Sequence, residues 1–147
     1  MKFEVLRSIG HNIADSAASG IGLLVGTYAM DVFGEARQSP ENHITVDFLT
    51  GRIIGGRASQ SLARAIALYG KALPALCAKH RTSPAMFRAL TADYWVDDVQ
   101  RPRFAVTVED QKGRRAVDEY VGIPGSRIRV LDQLGRIRRG RHHSPPS

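Results

Sequence analysis

The apolar residues of this chain recur with two different periods, so the fold needs both helices and strands. Near the amino terminus Phe3, Leu6, Ile9, Ile13 and Ala17 are three or four residues apart, as on one side of an amphipathic helix. Over 104–109, apolar and other residues alternate one by one, as in a half-buried strand. The two patterns occupy separate stretches, and the sequence therefore predicts an α+β fold.

Length and composition predict a single compact domain. The chain has 147 residues, of which 43% are hydrophobic and 24% charged, and this is enough to bury a core. We expect residues 1–139 to form the domain and residues 140–147, rich in proline, serine and basic side chains, to be a disordered basic tail. One cysteine excludes an internal disulfide, and without a secretion signal this predicts a cytoplasmic protein.

The first half predicts a helix, a strand and a hairpin. After the amino-terminal helix, Leu23–Phe33 has the β-branched and aromatic content of a strand in the middle of a sheet. A β-hairpin follows, with strands over 44–48 and 52–54 joined by a turn at Thr50 and Gly51. The longest charge-free run, Ser16–Met30, is too short and too rich in glycine and serine to span a membrane.

The second half predicts a central helical pair and a C-terminal antiparallel β-meander. The first helix begins near Ser59 or Ser61 and is kinked or divided near Gly70 and Pro74. The second begins at Ser83-Pro84, with Met86, Phe87, Leu90 and Tyr94 as its buried stripe. The meander consists of strands over 104–109, 114–121, 126–131 and 136–139, with a hairpin loop at 110–113.

Positive charge is concentrated at the carboxyl end. Residues 101–147 contain eleven basic and five acidic residues, whereas residues 1–100 contain ten and nine. Arginine suits phosphate because its planar guanidinium donates two parallel hydrogen bonds. On two paired strands we expect four arginines to line one sheet face, with three further cations at a hairpin tip. The predicted polyanion contacts are Arg127, Arg129, Arg136, Arg138, Lys112, Arg114 and Arg115.

These charges make a non-enzymatic binding module the leading interpretation, with nucleic acid or an acidic protein surface as partner and without a cofactor or resident metal. The competing interpretation is a solvated basic face. The order of elements also resembles a winged helix-turn-helix, in which the helix from Pro84 would enter the major groove. Its content argues against that reading, because Arg88 is its only cation and Asp93 is acidic.

A metal-dependent hydrolase, for example a nuclease, is the first alternative. His11 and Asp15 are four residues apart on one helical face, and Asp31 and Asp47 lie on or next to the following strands. If these side chains converge, they could hold Mg²⁺ or Mn²⁺. The simpler interpretation is a helix-face hydrogen bond and ordinary turn carboxylates. The sequence does not decide whether the protein is an enzyme.

Two further hypotheses concern the middle of the chain. Cys77 and His80 are three apart and form half of a zinc site at most, since structural zinc takes four ligands; a buried thiol is the simpler interpretation. The second alternative function is a self-assembling scaffold. It places apolar surface around Leu73, Leu76, Phe87 and Trp95 against a second copy of the chain.

Overall fold

The computed structural model describes residues 2–20, 31–121, 129–131 and 137–138, with side chains as far as Val121. Within these ranges the α+β fold is confirmed. The helices are α1 (Phe3–Ser19), α2 (Val32–Gln38) and α3 (Gln60–Lys79). The strands are β1 (His43–Asp47), β2 (Arg52–Gly55), β3 (Phe87–Val96), β4 (Pro102–Asp110), β5 (Arg115–Val121), β6 (Arg129–Leu131) and β7 (Ile137–Arg138). None of the helices in this part of the chain is long and apolar enough to cross a membrane.

The described strands form one antiparallel sheet in the order β2-β1-β3-β4-β5-β6-β7. Val46 pairs with Ala92, and Ala92 with Val106, so these three residues cross the sheet in one row. All three are buried and belong to one hydrophobic core with residues of α1, α2 and α3. Alternate residues of β1, β3 and β4 therefore pack against the helices, as the two-residue period requires.

The predicted amino-terminal helix and hairpin are confirmed. Leu6, Ile9 and Ile13 of α1 are buried, and the helix ends at Gly20, whose φ of 67° suits glycine. Gly10 lets α1 approach the sheet, because a Cβ there would lie 2.6 Å from Val108 Cγ2. β1 and β2 form the hairpin.

α3 is one continuous helix through Pro74, so the prediction of two short helices is wrong, whereas the alternative prediction of a kink stays a prediction. Proline removes the hydrogen bond that the nitrogen of residue 74 would donate to the carbonyl of Gly70. The buried stripe, which includes Leu62, Ile66 and Leu73, runs along the helix on both sides of Pro74. Both halves pack on the same core, and this tertiary contact outweighs the loss of one backbone bond.

The predicted helix from Pro84 is wrong. Pro84–Met86 is a single 3-10 turn, the Ser83 side chain makes no capping hydrogen bond, and Phe87–Val96 is strand β3. The apolar positions of this stretch fit a helix and a strand about equally well, and pairing with both β1 and β4 decides for the strand. The winged-helix reading thereby loses its recognition helix, and only one helix of the predicted central pair is present.

The strand predicted over Leu23–Phe33 is wrong at its end, because Val32 and Phe33 begin α2. Asp31 precedes the helix, and its carboxylate accepts a hydrogen bond from Gly34 N at 2.8 Å. This cap outweighs the strand preference of the two residues that follow it. Residues 21–30 and the predicted tail over 140–147 lie outside the described residues.

The apolar patch of the scaffold hypothesis is largely internal. Leu73 and Phe87 are buried in the protein's own core, and Leu76 packs against that core. Trp95 lies half-buried on the sheet face that points away from the helices. Self-assembly remains a prediction, but Leu73 and Phe87 are not available for it.

Candidate functional site

The four residues of the hydrolase hypothesis have separate surroundings. Asp31 caps α2, and Asp47 accepts a hydrogen bond from Leu49 N at 2.9 Å in the β1–β2 turn. Asp15 is half-buried, and burial raises the pKa of its carboxyl group. His11 is bonded to Asp118, a residue of β5, instead of Asp15. In the described ranges, no group of three or more histidine, cysteine or acidic side chains is arranged to hold a metal ion.

Asp118 joins α1 to β5 through two side chains one helical turn apart. Arg7 donates from Nε to Asp118 Oδ2 at 2.7 Å and from its second terminal nitrogen to Oδ1 at 2.5 Å. His11 Nε2 lies 2.8 Å from Oδ2. The Asp118 side chain is 12% exposed and the Arg7 side chain 34% exposed, so this is a partly buried, forked ion pair with an imidazole beside it.

The charges of this cluster are strongly coupled. Burial alone would raise the pKa of Asp118, but the hydrogen bonds and positive charges of Arg7 and His11 outweigh it and hold that pKa far below its usual value. The hydrogen bond to Asp118 raises the pKa of Arg7 in turn, so both groups remain charged. The cluster fixes α1 against β5, which is a structural task.

Tyr120 is the neighbouring residue on the same face of β5. Its ring meets the His11 ring edge-on, with 5.0 Å between centroids, and stacks on Phe104 at 4.9 Å. Its hydroxyl is buried and has no hydrogen-bond partner in the described structure. Burial, helped by the Asp118 charge, strongly raises the pKa of this hydroxyl. By contrast, the Tyr94 hydroxyl donates to the Ala14 carbonyl at 3.0 Å.

Sequence reasoning missed Asp118, although a signal for it exists. In the predicted strand over 114–121, residues 116, 118 and 120 share one face, and that face includes Tyr120. A carboxylate on a buried face needs a cationic partner, and α1 carries Arg7. The pairing was hidden because 111 residues separate Arg7 from Asp118.

The hairpin tip between β4 and β5 is organised by Asp110. This residue is buried, and its carboxylate accepts from Lys112 N at 3.0 Å, from Arg114 N at 2.9 Å and from Arg114 Nε at 2.7 Å. Burial would raise the pKa of Asp110, but these donors outweigh it and lower that pKa. The predicted hairpin is confirmed, and the Lys112 and Arg115 side chains are exposed at its tip.

The C-terminal arginines lie mostly beyond what the structure describes. Arg127 and Arg136 are outside the described residues, whereas Arg129 pairs with Val121 and Arg138 with Val130. Paired positions belong to the same face of a sheet and successive positions alternate, so Arg129 and Arg138 hold register positions on different faces. The register does not support one shared face for these two positions. Their role as polyanion contacts stays a prediction.

A second concentration of positive charge lies in the middle of the chain. Between residues 48 and 92 there are seven lysines and arginines and no aspartate or glutamate. The seven are Arg52, Arg57, Arg64, Lys71, Lys79, Arg81 and Arg88, and all are exposed. A charge count over residues 1–100 as one unit hides this run, because the flanking stretches 1–47 and 93–100 each have a net negative charge that offsets it. A charge count in a moving window would have found it.

Helix α3 carries three of these cations on its solvent side. Arg64 and Lys71 are seven residues apart, which places them within about 20° of each other around the helix axis. Viewed along the helix axis, Lys79 is rotated by about 60° from Arg64. The opposite side of α3 contains Leu62, Ile66 and the other buried residues. The helix thus turns its apolar stripe inward and an acid-free, cationic side outward.

The end of α3 and the β4–β5 hairpin tip meet through the 3-10 turn. Gln111 Nε2 donates to the carbonyls of Ala85 at 3.1 Å and Phe87 at 3.0 Å, and Arg88 donates to the Gln111 carbonyl at 2.9 Å. Arg88 is itself paired with Glu109 at 3.3 Å. We call the exposed cations on either side of this junction the α3–hairpin surface. They are Arg64, Lys71, Lys79, Arg81 and Lys112; Arg115 is exposed as well, but its register position is on the sheet face that points away from the helices.

A cleft of about 500 Å³ lies beside the start of β1 and the end of β3. Glu41, Asp97 and Asp98 line it together with Arg37 and Trp95. Asp97 belongs to a turn, where its carboxylate accepts from Val99 N at 3.1 Å and Arg101 N at 2.8 Å. Burial would raise the pKa of Asp97, but these bonds and the nearby arginines lower it.

Cys77 is fully buried, and burial raises the pKa of its thiol. His80 follows the last residue of α3 and is exposed. A protonated, inaccessible thiol is neither a good nucleophile nor a ready metal ligand. The simpler interpretation of the Cys77–His80 spacing is therefore favoured.

Comparison with known proteins finds no matching family model, no similar curated protein and no similar solved structure.

Proposed function

We propose that this protein is a non-enzymatic binding module whose partner is nucleic acid. The observation that carries the proposal is the acid-free run over 48–92, whose seven cations are all exposed. An ordinary solvated surface intersperses both signs of charge. A single-sign stretch on a rigid helix instead attracts a polyanion and steers its approach.

The arrangement of acidic residues supports the same proposal. Arg7 is paired with Asp118, Arg88 with Glu109, and Arg103 with Asp97 and Glu119. Carboxylates are thus used within the fold to neutralise arginines near the sheet. α3 contains no carboxylate of its own, so its cations lack this neutralisation from within the helix.

The basic carboxyl end adds to the proposed attraction. Residues 122–147 contain six arginines and one acidic residue, and β6 and β7 extend the sheet into this region. The predicted contacts Arg127, Arg129, Arg136 and Arg138 all belong to it. In this proposal they contribute to binding together with the α3–hairpin surface.

Fluorescence anisotropy of the full chain with labelled oligonucleotides tests the proposal. We expect binding at 50 mM salt that weakens steeply by 200 mM, because each neutralised phosphate releases condensed counterions. Polyglutamate of similar length is the probe for the competing acidic-protein partner. Tighter binding to polyglutamate than to any oligonucleotide would favour that partner, and absence of binding to oligonucleotides at low salt would contradict the proposal.

A further inference from the structure

The α3–hairpin surface has properties that select among nucleic acids. We infer that the partner is a duplex, which this surface binds through the phosphate backbone and without recognition of the bases. This inference rests on the proposed function, and it names the class of nucleic acid and the part of it that is contacted.

The cations of α3 are held at fixed spacings, and this suits a rigid duplex. Along the axis of α3, Arg64 and Lys71 are about 10 Å apart and Lys71 and Lys79 about 12 Å apart, at about 1.5 Å per residue. A duplex is stiff and presents a phosphate about every 3.4 Å of axis along each strand, so its phosphates hold fixed positions opposite a row of cations. Cations held at fixed positions on a helix bind fixed phosphates with little loss of side-chain and backbone freedom.

Between the cations, the solvent side of α3 consists mainly of short side chains. Ala75 and Ala78 are exposed on the solvent side of α3, and Leu68 is the large apolar residue there, at 39% exposure. Short side chains let a phosphate backbone approach closely. They do not supply the amides or guanidiniums aimed at base edges that read a sequence. Contacts to phosphate alone fix position and orientation but carry no sequence information.

The exposed residues also argue against a single strand. Proteins that bind single strands without sequence preference stack the bases on aromatic side chains. In the part of the chain with described side chains, the exposed large hydrophobic residues are all aliphatic. They are Ile54, Leu68, Met86, Val99 and Val117. Because none of these exposed residues offers an aromatic ring for stacking, a flexible strand gains only the electrostatic part of the binding energy at the α3–hairpin surface.

A membrane is a poorer fit for the same cations. A helix that lies on an anionic membrane buries its apolar side among the lipids. The apolar side of α3, with Ile66, Tyr69 and Leu73, is already buried in the protein core. The solvent side has one large apolar residue, Leu68, to insert.

The test measures binding of the full chain by anisotropy between 50 and 200 mM salt. The probes are two 24-base-pair duplexes of unrelated sequence and a 24-residue oligothymidine, with vesicles containing one quarter phosphatidylserine as a sedimentation arm. We expect each duplex to bind at least about tenfold more tightly than oligothymidine, since the single strand lacks stacking partners. The two duplexes should bind within about threefold of each other, because no base is read.

Matched charge variants locate the contact. The double variant Lys71→Gln with Lys79→Gln should make the slope of log K against log salt less negative by about 1.8, because each lost phosphate contact removes about 0.9. Arg37→Gln with Arg101→Gln removes the same charge at the cleft end, and it should leave the slope unchanged. Glutamine keeps helix propensity close to that of lysine, and circular dichroism confirms that both variants fold.

Any other outcome contradicts the inference, the proposed function or both. Equal binding of oligothymidine, a tenfold preference for one duplex, or equal slopes in the two double variants overturns the inference while the proposed function stands. Binding to vesicles without binding to oligonucleotides overturns both. Absence of all binding at 50 mM salt overturns the proposed function, and the inference with it.

Discussion

Helix α3 crosses the β1–β2 turn at a contact between two glycines, and substitution there tests how the helix is seated. A Cβ added to Gly70 would lie 2.5 Å from Gly51 Cα and 2.9 Å from Gly51 N. Carbon atoms in contact are normally about 3.5–4.0 Å apart, so Gly70→Ala requires a displacement of about 1 Å. Both sides of the contact are backbone, and Gly51 has a φ of 70°, so neither yields by a simple rotamer change.

The expected magnitude follows from two opposing effects. Alanine is favoured over glycine inside a helix by about 1 kcal/mol. Overpacking of a closed contact costs about 1–3 kcal/mol, and a backbone-to-backbone clash belongs at the upper end of that range. We therefore expect Gly70→Ala to reduce the free energy of unfolding by about 1–2 kcal/mol. For a chain of this length that lowers Tm by roughly 2–8 °C.

Urea titration followed by circular dichroism measures the change. Ala75→Gly, at an exposed position of the same helix, is the matched control and should lose about 1 kcal/mol through helix propensity alone. If Gly70→Ala is instead more stable than the wild type, the close approach of α3 to the turn is wrong. The placement of the cations that α3 carries would then also need revision.

Two further substitutions test the α1–β5 cluster. Asp118→Asn should cost about 2 kcal/mol at pH 7 by breaking the bonds to Arg7 and His11. The folded-state pKa of Asp118 is depressed, so its stabilisation is present above the ordinary value of 3.8 and lost as pH falls below it. The gap between wild type and variant should shrink in urea titrations at pH 3, and a constant gap would refute this. Tyr120→Phe should raise the free energy of unfolding by about 1 kcal/mol, because the buried Tyr120 hydroxyl has no hydrogen-bond partner among the described residues. Tyr94→Phe should lower it by about as much, because it removes the bond to the Ala14 carbonyl. A loss of stability in Tyr120→Phe would reveal a partner.

Local patterning predicted the elements whose periods are unambiguous. The stripe of α1 and the alternation of β1 and β4 each fit one period only, and each was confirmed. The stretch over 84–96 fits both periods, and there the prediction failed. Its neighbours in the sheet decide its conformation, since a strand between β1 and β4 satisfies its backbone hydrogen bonds on both sides.

The candidate sites show the same difference between local features and contacts among distant residues. The hairpin loop predicted over 110–113 was confirmed, because short loops are governed by local hydrogen bonds such as those of Asp110. The polyanion contacts predicted at its tip stay a prediction. The convergence of His11, Asp15, Asp31 and Asp47 could not be judged from spacing. Each of these residues lies on a different element or helical position, and packing separates them.

By itself the sequence determined the fold class, the inward stripe of α1 and the distribution of charge along the chain, because these depend on residue type and short-range period. Only the tertiary structure decided that β3 is a strand, that Asp118 is the partner of Arg7 and His11, and that the cations of α3 face solvent. Those outcomes depend on which distant segments meet. Contacts between residues far apart in sequence are set by the packing of the whole core, which no local pattern specifies.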